Sequence, residues 1–446
     1  MISTAPESGT TRATSAESIL ARLTRAPAGI AEYHCWYGNQ AKHLADNPEL
    51  SVDPFPDDEP ALAIDRCVDL HADRGYTNLI WACARSVVHY KSDLSHTTFT
   101  GDLCGEDASK ISDCCRKVLK HVCPLRYCLD YSATRDITVW GRVAMNRHYG
   151  AKGWSAATSR FSRDNPDYHE ISRTGQPVAM RLCYALPQVQ QERLDILLEI
   201  QRIGVAGLLL DYCRQMPHVG YHPAVLEPYM QQTGQDPRRI TSSDPADHMQ
   251  WFQYRADIMT GFMRKLREAV RQQERSLGRA CPIIARVPDS PRWLMLGYGL
   301  DIEAWAAQDL IDGTMLSPFP HTREAMEFDT RFQVRAMHEH GKLCIGGIGS
   351  KSLLVRPDDA AARTARVCRL AHEQYAAGVD GMSLYQSETA LRMPHLQELA
   401  SKLGDRQAVA RAASSEPYRP GDDKPGCDWH SADKGIPAFG DNLSAL

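Results

Sequence analysis

Two acids follow apolar segments of the chain at points where their side chains could take part in chemistry. Asp211 comes directly after Leu208 to Leu210, and Glu388 follows the segment Asp380 to Leu384 by a few residues. Two carboxylates that flank a bound substrate can cleave a glycosidic bond. One donates a proton to the leaving oxygen, and the other acts as the nucleophile or as the base toward water. We therefore predict Asp211 and Glu388 as a catalytic pair.

Arginine and aromatic side chains near the same segment ends are the predicted substrate-binding groups. Guanidinium groups can hold a carboxylate ionised or bind hydroxyl and carboxylate groups of a substrate, and aromatic rings can form the walls of a pocket. The predicted substrate-binding residues are Arg85, Arg142, Arg214, Tyr221, His222, Arg286 and Tyr385. Asp289 belongs to the same group of polar residues at segment ends.

Each of these residues also has a structural alternative. Asp211 could only anchor Arg214 or cap a loop, and Glu388 could be the acid in the first turn of a helix that begins near Ser387. Arg142 and Arg286 could pair with the acids rather than touch a substrate. The catalytic interpretation of Asp211 is favoured because three leucines precede it without a break.

The histidines do not form a metal signature. His218 and His222 are four residues apart, but Gly220 and Pro223 make a helix between them improbable, so the helical two-ligand arrangement is absent. We predict no metal and no cofactor. An alternative prediction comes from the glycine-rich segment Gly346 to Ser350, which could form a loop that binds phosphate through its backbone N–H groups.

Eight short apolar segments alternate with helical patterns along the chain. They lie near residues 30, 77, 137, 207, 283, 312, 342 and 380. This alternation is typical of a parallel sheet, and eight units predict a (β/α)8 TIM barrel with enlarged loops. A doubly wound open sheet is the second choice, because no G-x-G-x-x-G follows the first segment.

The predicted domain organisation is a single barrel with a short extension at each end. Residues 1–27 are predicted to be a flexible leader with a short helix at 17–23, 28–405 the barrel, and 406–446 a tail that is disordered or lies on the surface. Helices are predicted at 65–74, 112–122, 187–203, 252–270, 302–308, 324–340 and 360–377. The segment 150–176 shows no clear period and is predicted to be a long loop over the barrel.

Composition and charge limit the class of protein. Hydrophobic residues make up 43% and charged residues 24% of the 446 residues, which is ordinary for a globular chain. A net charge of −4 without a basic run argues against nucleic acid as a partner. The 14 cysteines include no C-x-x-C pair, and neither an export signal nor a membrane span is visible. These features predict a soluble cytoplasmic protein, and they leave homo-oligomerisation open.

Several longer stretches resemble the glycoside-hydrolase-like family 10 barrels. They are GLLLDYCRQMPHVGYHP at 207–223, the Gly-Gln-Asp-Pro at 234–237, WFQYRADIMTGFMRKLREAV at 251–270, ARVPDS at 285–290, GLDIEAWAAQDLIDG at 299–313 and AAGVDGMSLYQSE at 376–388. The likeness covers roughly residues 65 to 400. It implies a (β/α)8 barrel, a carbohydrate-related role, and Asp211 with Arg214 on the pocket floor.

The predicted function is hydrolysis of a small or oligomeric saccharide or glycoconjugate. Two alternatives remain open. The first is a phosphosugar isomerase or lyase that binds phosphate at residues 346–350, and the second is a barrel that binds carbohydrate without catalysis.

Overall fold

The computed structural model shows a closed barrel of eight parallel strands with helices between them. It describes residues 15–31, 61–99, 121–148, 158–213, 216–240, 245–317, 329–349, 360–392, 397 and 400–414. The barrel strands are β1 (Ala28–Ala31), β2 (Asn78–Ala84), β3 (Thr138–Ala144), β6 (Gly207–Asp211), β7 (Ile283–Pro288), β8 (Gly313–Ser317), β9 (Leu343–Gly349) and β10 (Gly381–Tyr385). Around the barrel they follow the order β1-β10-β9-β8-β7-β6-β3-β2. The predicted fold class and all eight predicted strand positions are confirmed.

The helices of the described residues surround the barrel, except for α1, which lies at one of its ends. They are α1 (Ala16–Arg25), α2 (Leu62–Ala72), α3 (Pro124–Thr134), α4 (Arg160–Asp164), α5 (Pro187–Ile203), α6 (Pro223–Thr233), α7 (Pro245–Leu277), α8 (Arg292–Tyr298), α9 (Ile302–Ala307), α10 (Thr330–His338), α11 (Ala360–Ala377), α12 (Ser387–Ala390) and α13 (Arg406–Ala412). Local signals in the sequence set several of these bounds. Pro187 starts α5 and Gly204, with φ 131°, ends it, while Asp301 caps α9 by accepting from the Ala304 N–H at 3.0 Å. The helix predicted at 112–122 falls almost entirely outside the described residues.

The inside of the barrel is an apolar layer to which every barrel strand contributes. Its side chains are those of Ile30, Ile80, Trp140, Leu209, Ile284, Met315, Ile345 and Tyr385. Ile19 and Leu23 of α1 pack against this layer, and the backbone carbonyl of Arg22 accepts a hydrogen bond from Asn78 at the start of β2. Helix α1 therefore closes the barrel at the amino ends of its strands. This part of the predicted leader is packed against the barrel.

The glycines at 346, 347 and 349 belong to β9 rather than to a phosphate-binding loop. A Cβ at Gly347 would lie 1.8 Å from the Leu316 carbonyl oxygen, and one at Gly346 would lie 2.5 Å from Gln374 Oε1. The Gly347 N–H donates to that Gln374 oxygen at 2.9 Å. Close packing between strands and α11 explains Gly346 and Gly347. Because residues 346–349 belong to the strand itself, the predicted phosphate loop is wrong for them. Ser350 lies outside the described residues.

A two-stranded hairpin is inserted between β3 and α5, and its first strand lies within the segment 150–176 that is predicted to be a loop. Its strands are β4 (His169–Ile171) and β5 (Pro177–Leu182), and they pair antiparallel. The strand β5 alternates buried and more exposed residues over its first half, which is the pattern of an amphipathic strand. The short length of β4 hides the hairpin in the sequence.

The beginning of the predicted tail is also ordered. Helix α13 packs beside α11, and the Arg406 guanidinium donates to the Val379 carbonyl oxygen at 3.0 Å. Among the described residues, no helix is both long enough and apolar enough to cross a lipid bilayer.

Candidate active site at the carboxyl end of the barrel

Charged side chains form the layer of the barrel interior above the apolar one. Because side chains alternate along a strand, the residue two positions after an inward-facing one also faces inward. Trp140, Leu209 and Ile284 face inward, so Arg142, Asp211 and Arg286 follow them toward the carboxyl ends of the strands. Active sites of (β/α)8 barrels are built at this end.

Asp211 lies between the two arginines. Its Oδ2 accepts from Arg142 Nε at 2.8 Å and lies 2.5 Å from an Nη of the same guanidinium, while its Oδ1 accepts from Arg286 Nη1 at 3.1 Å. The backbone N–H of Cys213 also donates to Oδ1, at 3.0 Å. Asp211 is fully buried and both arginines are 1% exposed. We call these three residues the Arg-Asp-Arg cluster.

Tyr385 and Ser317 contact the cluster from other strands. The Tyr385 ring comes from β10, which lies opposite β6 in the barrel, and its centroid is 4.4 Å from the Arg286 guanidinium and 5.4 Å from that of Arg142. Such positions favour a cation–π interaction. Ser317 Oγ accepts from Arg286 Nη2 at 2.9 Å. Four of the predicted site residues, Arg142, Asp211, Arg286 and Tyr385, are therefore brought together.

The cluster is costly to bury. Desolvation of a buried ion pair can exceed the Coulombic attraction of its charges, and removal of one partner leaves a charge without compensation. Two guanidinium charges and the Cys213 N–H next to a carboxylate favour its ionised form. Ser317 accepts a further hydrogen bond from Arg286. An ionised carboxylate with a fixed orientation can serve as a nucleophile or as an electrostatic group at a reaction centre.

Glu388 lies in the first turn of α12, directly after β10, and is 4% exposed. Its charge contributes to the raised pKa of Cys67, a buried thiol on α2 whose pKa is raised mainly by burial. The neighbouring Ser387 Oγ lies 2.7 Å from His71 Nε2, also on α2. These contacts place this turn beside the outer helix layer. Strand order puts it on the side of the barrel opposite β6.

His222 and Tyr221 have local structural contacts. The His222 ring caps α6 by accepting from the Ala224 N–H at 3.1 Å, and its Nε2 lies 3.0 Å from the Asp167 carbonyl oxygen. The Tyr221 ring packs against Trp251 at a centroid distance of 5.3 Å. The contacts described for these two rings do not link them to the Arg-Asp-Arg cluster.

The remaining two predicted arginines have different outcomes. Arg85 follows β2 and is buried, and its carbonyl oxygen accepts from Arg193 Nη1 at 2.7 Å. Arg214 lies outside the described residues. The role predicted for each as a substrate-binding group stays a prediction.

Asp289, just after β7, is a buried carboxyl group. Burial raises its pKa to about 6, although Thr330 Oγ1 of α10 donates to its Oδ2 at 2.6 Å and opposes that shift. Its backbone N–H donates to the Ser317 carbonyl oxygen at 3.0 Å. A carboxyl group with a pKa near 6 can still hold a proton close to neutral pH.

A set of buried side chains that sequence reasoning missed holds the segment 216–221, which follows Asp211. Arg181 on β5 and Arg255 on α7 donate to its carbonyl oxygens, together with Asn146 after β3. Arg181 could have been found from its place between Met180 and Leu182 in a strand pattern. Arg255 is hidden in the amphipathic pattern of a helix.

The described residues contain no group of three or more His, Cys, Asp or Glu side chains that could hold a metal ion. The predicted absence of a metal stays a prediction.

Comparison with solved structures identifies similar folds. The glycoside hydrolase domain of PgaB (BpsB) from Bordetella bronchiseptica aligns with a TM-score of 0.53 at 13% identity, over 84% of this chain and 98% of that domain. The catalytic domain of β-amylase from Paenibacillus polymyxa aligns with a TM-score of 0.51 at 8% identity, over 87% of this chain and 99% of that one. No protein-family model matches the chain, and no curated protein matches it in sequence. The likeness concerns the fold, and the resemblance to glycoside-hydrolase-like family 10 stays a prediction.

Proposed function

We propose that the protein is a glycoside hydrolase that acts on a small or oligomeric saccharide or a glycoconjugate at the carboxyl end of the barrel. Asp211 is the ionised carboxylate of the reaction, as nucleophile or as base toward water. Arg142 and Arg286 keep it ionised, and Tyr385 supports both guanidinium groups from the opposite strand.

The observation that carries this proposal is the Arg-Asp-Arg cluster in the upper layer of the barrel interior. Asp211 makes two ion pairs, at 2.5 Å and 3.1 Å, inside a barrel whose fold is similar to that of glycoside hydrolases. A buried charge of this kind is weak support for stability, because an apolar layer of the same volume would cost less. A functional reason for retaining it is therefore favoured.

The second carboxyl group of the reaction has two candidates. Glu388 remains the proposed acid because it follows the strand opposite Asp211. Asp289 is the second candidate, because its pKa of about 6 suits a proton donor near neutral pH. Replacing each by its amide, Glu388→Gln and Asp289→Asn, distinguishes them. The true donor's variant should lose activity on glycosides with poor leaving groups and keep most of it on activated ones.

The test of the function is Asp211→Asn, measured on a panel of 4-nitrophenyl glycosides. We expect kcat/KM to fall by at least about a thousandfold, because the amide cannot act as nucleophile or base. The matched control is Asp312→Asn, which breaks the ion pair of Asp312 with Arg267 (2.8 Å) at the other end of the barrel. The control should lose stability and keep its activity.

Both variants are first checked for cooperative unfolding, and activity is measured well below the unfolding midpoint. Wild-type-like turnover by a folded Asp211→Asn variant would reject the assignment of Asp211. A wild-type chain that binds saccharides but hydrolyses none of the panel would point instead to a carbohydrate-binding barrel.

A further inference from the structure

Side chains bind the backbone carbonyl oxygens of the segment 216–221, which belongs to no helix or strand. Three carbonyl oxygens in a row accept from three different parts of the chain. Arg181 Nη1 donates to Pro217 O at 2.7 Å, Asn146 Nδ2 to His218 O at 3.3 Å, and Arg255 Nη1 to Val219 O at 3.1 Å. We call this segment with its three donors the clamped segment.

The donors are themselves fixed by further contacts. Arg255 also donates to the Gly297 carbonyl oxygen at 2.9 Å, and its guanidinium lies 5.2 Å from the centroids of both Trp251 and Phe252. Asn146 binds Leu182 on β5 through both its amide nitrogen (3.1 Å) and its oxygen (2.9 Å). The hairpin and α7 therefore hold the clamped segment as one unit.

The hairpin also contacts the clamped segment through Glu170 and Ile171 of β4. A Cβ at Gly220 would lie 2.5 Å from Glu170 Oε2, so only glycine allows this close approach. Glu170 is fully buried, and its raised pKa results from burial, which Arg181 and the Gly220 N–H oppose. The Tyr221 N–H donates to Ile171 O at 2.9 Å.

The clamped segment is electrostatically linked to Asp211. Burial is the main cause that lowers the pKa of His218 to about 4. The charge of Arg181 also lowers this pKa, and the charge of Asp211 raises it. Its neutral ring donates from Nε2 to the Tyr212 carbonyl oxygen at 2.9 Å, because a carbonyl can only accept. The segment thus folds back beside the strand end that carries Asp211.

We propose that Asn146, Arg181 and Arg255 are positioning residues of the active site, and that the clamped segment is a preformed wall against which the saccharide binds. This inference rests on the proposed function and adds the hairpin β4–β5 to the site. A wall fixed before binding saves the entropy of ordering a loop around the substrate. Its loss should therefore weaken binding more than it slows the chemical step.

The kinetic test compares Arg181→Met with Arg267→Met, using the 4-nitrophenyl glycoside that the wild-type chain hydrolyses fastest. Arg267 is the matched control because it is also a buried arginine that donates to a carbonyl oxygen, that of Leu310 at 3.0 Å, near the amino ends of the strands. For Arg181→Met we expect KM to rise about tenfold with kcat within about threefold. Arg181→Lys should restore much of the KM, and Arg267→Met should change neither constant.

Hydrogen exchange provides a test that is independent of activity. The backbone amides of residues 216 and 218–221 should exchange about tenfold faster in Arg181→Met than in the wild-type chain, because the loss of one buried hydrogen bond opens the segment. The same amides should be unchanged in Arg267→Met. Equal kinetics of the two methionine variants, or unchanged exchange at 216–221, would overturn the proposal.

The two proposals can fail separately. A wild-type chain that hydrolyses no glycoside rejects the proposed function, and with it the wall as a substrate contact, whatever the exchange shows. An active enzyme whose Arg181→Met variant keeps its KM rejects only the role of the clamped segment.

Discussion

The two ends of the barrel solve the burial of charge in different ways. At the amino ends of the strands, α1 places Ile19 and Leu23 against the apolar interior. The acids at this end lie at its rim. At the carboxyl ends, the Arg-Asp-Arg cluster places three charged groups inside the barrel itself. The acids at the amino end thus stay at the rim of the barrel, whereas the charges of the Arg-Asp-Arg cluster lie in its interior.

Two acids at the amino end share one structural device. Asp312 precedes β8 and accepts from the Ile283 N–H at 2.7 Å, and Asp380 precedes β10 and accepts from the Cys344 N–H at 2.8 Å. Each carboxylate thus caps the first residues of a neighbouring strand and also binds a basic side chain, that of Arg267 or His338. Asp211 also accepts from a backbone N–H, that of Cys213, but it is buried inside the barrel between two arginines.

The largest expected effect comes from removing one partner of Asp211 at the carboxyl end of the barrel, the charged end. Arg286→Leu should lower the free energy of unfolding by about 3–5 kcal/mol, because Asp211 loses one of two buried partners. Denaturant unfolding measures this loss. A loss below about 1 kcal/mol would mean that the second arginine alone satisfies Asp211.

A smaller effect is expected from the apolar end. Leu23→Ala should cost about 3 kcal/mol through lost apolar contacts and a residual cavity. Activity below the unfolding midpoint should stay unchanged, since α1 lies at the end away from the site. A folded Leu23→Ala variant with an altered KM or kcat would contradict the division of roles between the two ends.

The third prediction uses the pH dependence of stability at the charged end. The folded-state pKa of Asp289 is raised to about 6, above its ordinary value of 3.8. Between pH 3.8 and pH 6 the folded state therefore keeps a proton on Asp289 that the unfolded state has lost. Its contribution to stability is full below pH 4 and is lost as the pH rises through 6, by at most about 3 kcal/mol. Unfolding midpoints of Asp289→Asn should lack this loss. Asp312→Asn, measured over the same range, should retain it.

The smallest effect is expected for an exposed ion pair at the charged end. Arg292 and Glu303 are 2.5 Å apart, with side chains 50% and 32% exposed. Arg292→Ala should change the free energy of unfolding by less than about 1 kcal/mol, because water screens the pair. If Arg292→Ala lowered the free energy of unfolding as much as Arg286→Leu does, burial would not be what makes the charges at the carboxyl end important for stability.

The sequence predicts the elements better than it predicts the site. The helix at 187–203 and all eight strand positions are confirmed, because long periodic or apolar patterns reflect burial directly. The hairpin was missed because strands of three and six residues carry little pattern. Sequence patterns could not separate the predicted residues that lie within strands and face the interior, as Arg142, Asp211 and Arg286 do, from residues in the turns that follow, such as the turn at Ser387, which contacts His71 of α2.

The sequence by itself determined the alternation that builds the barrel and the position of Asp211 after three buried leucines. Only the tertiary structure decided which cations meet that acid. Arg142 and Arg286 are 69 and 75 residues away along the chain. The register of β6 and β7 pairs Asp211 with Arg286, and the side chain of Arg142 reaches Asp211 from β3, where its own Cα is paired with Leu209. The physical reason is that local patterns record whether a residue is buried, whereas closure of the barrel sets which buried residues face each other.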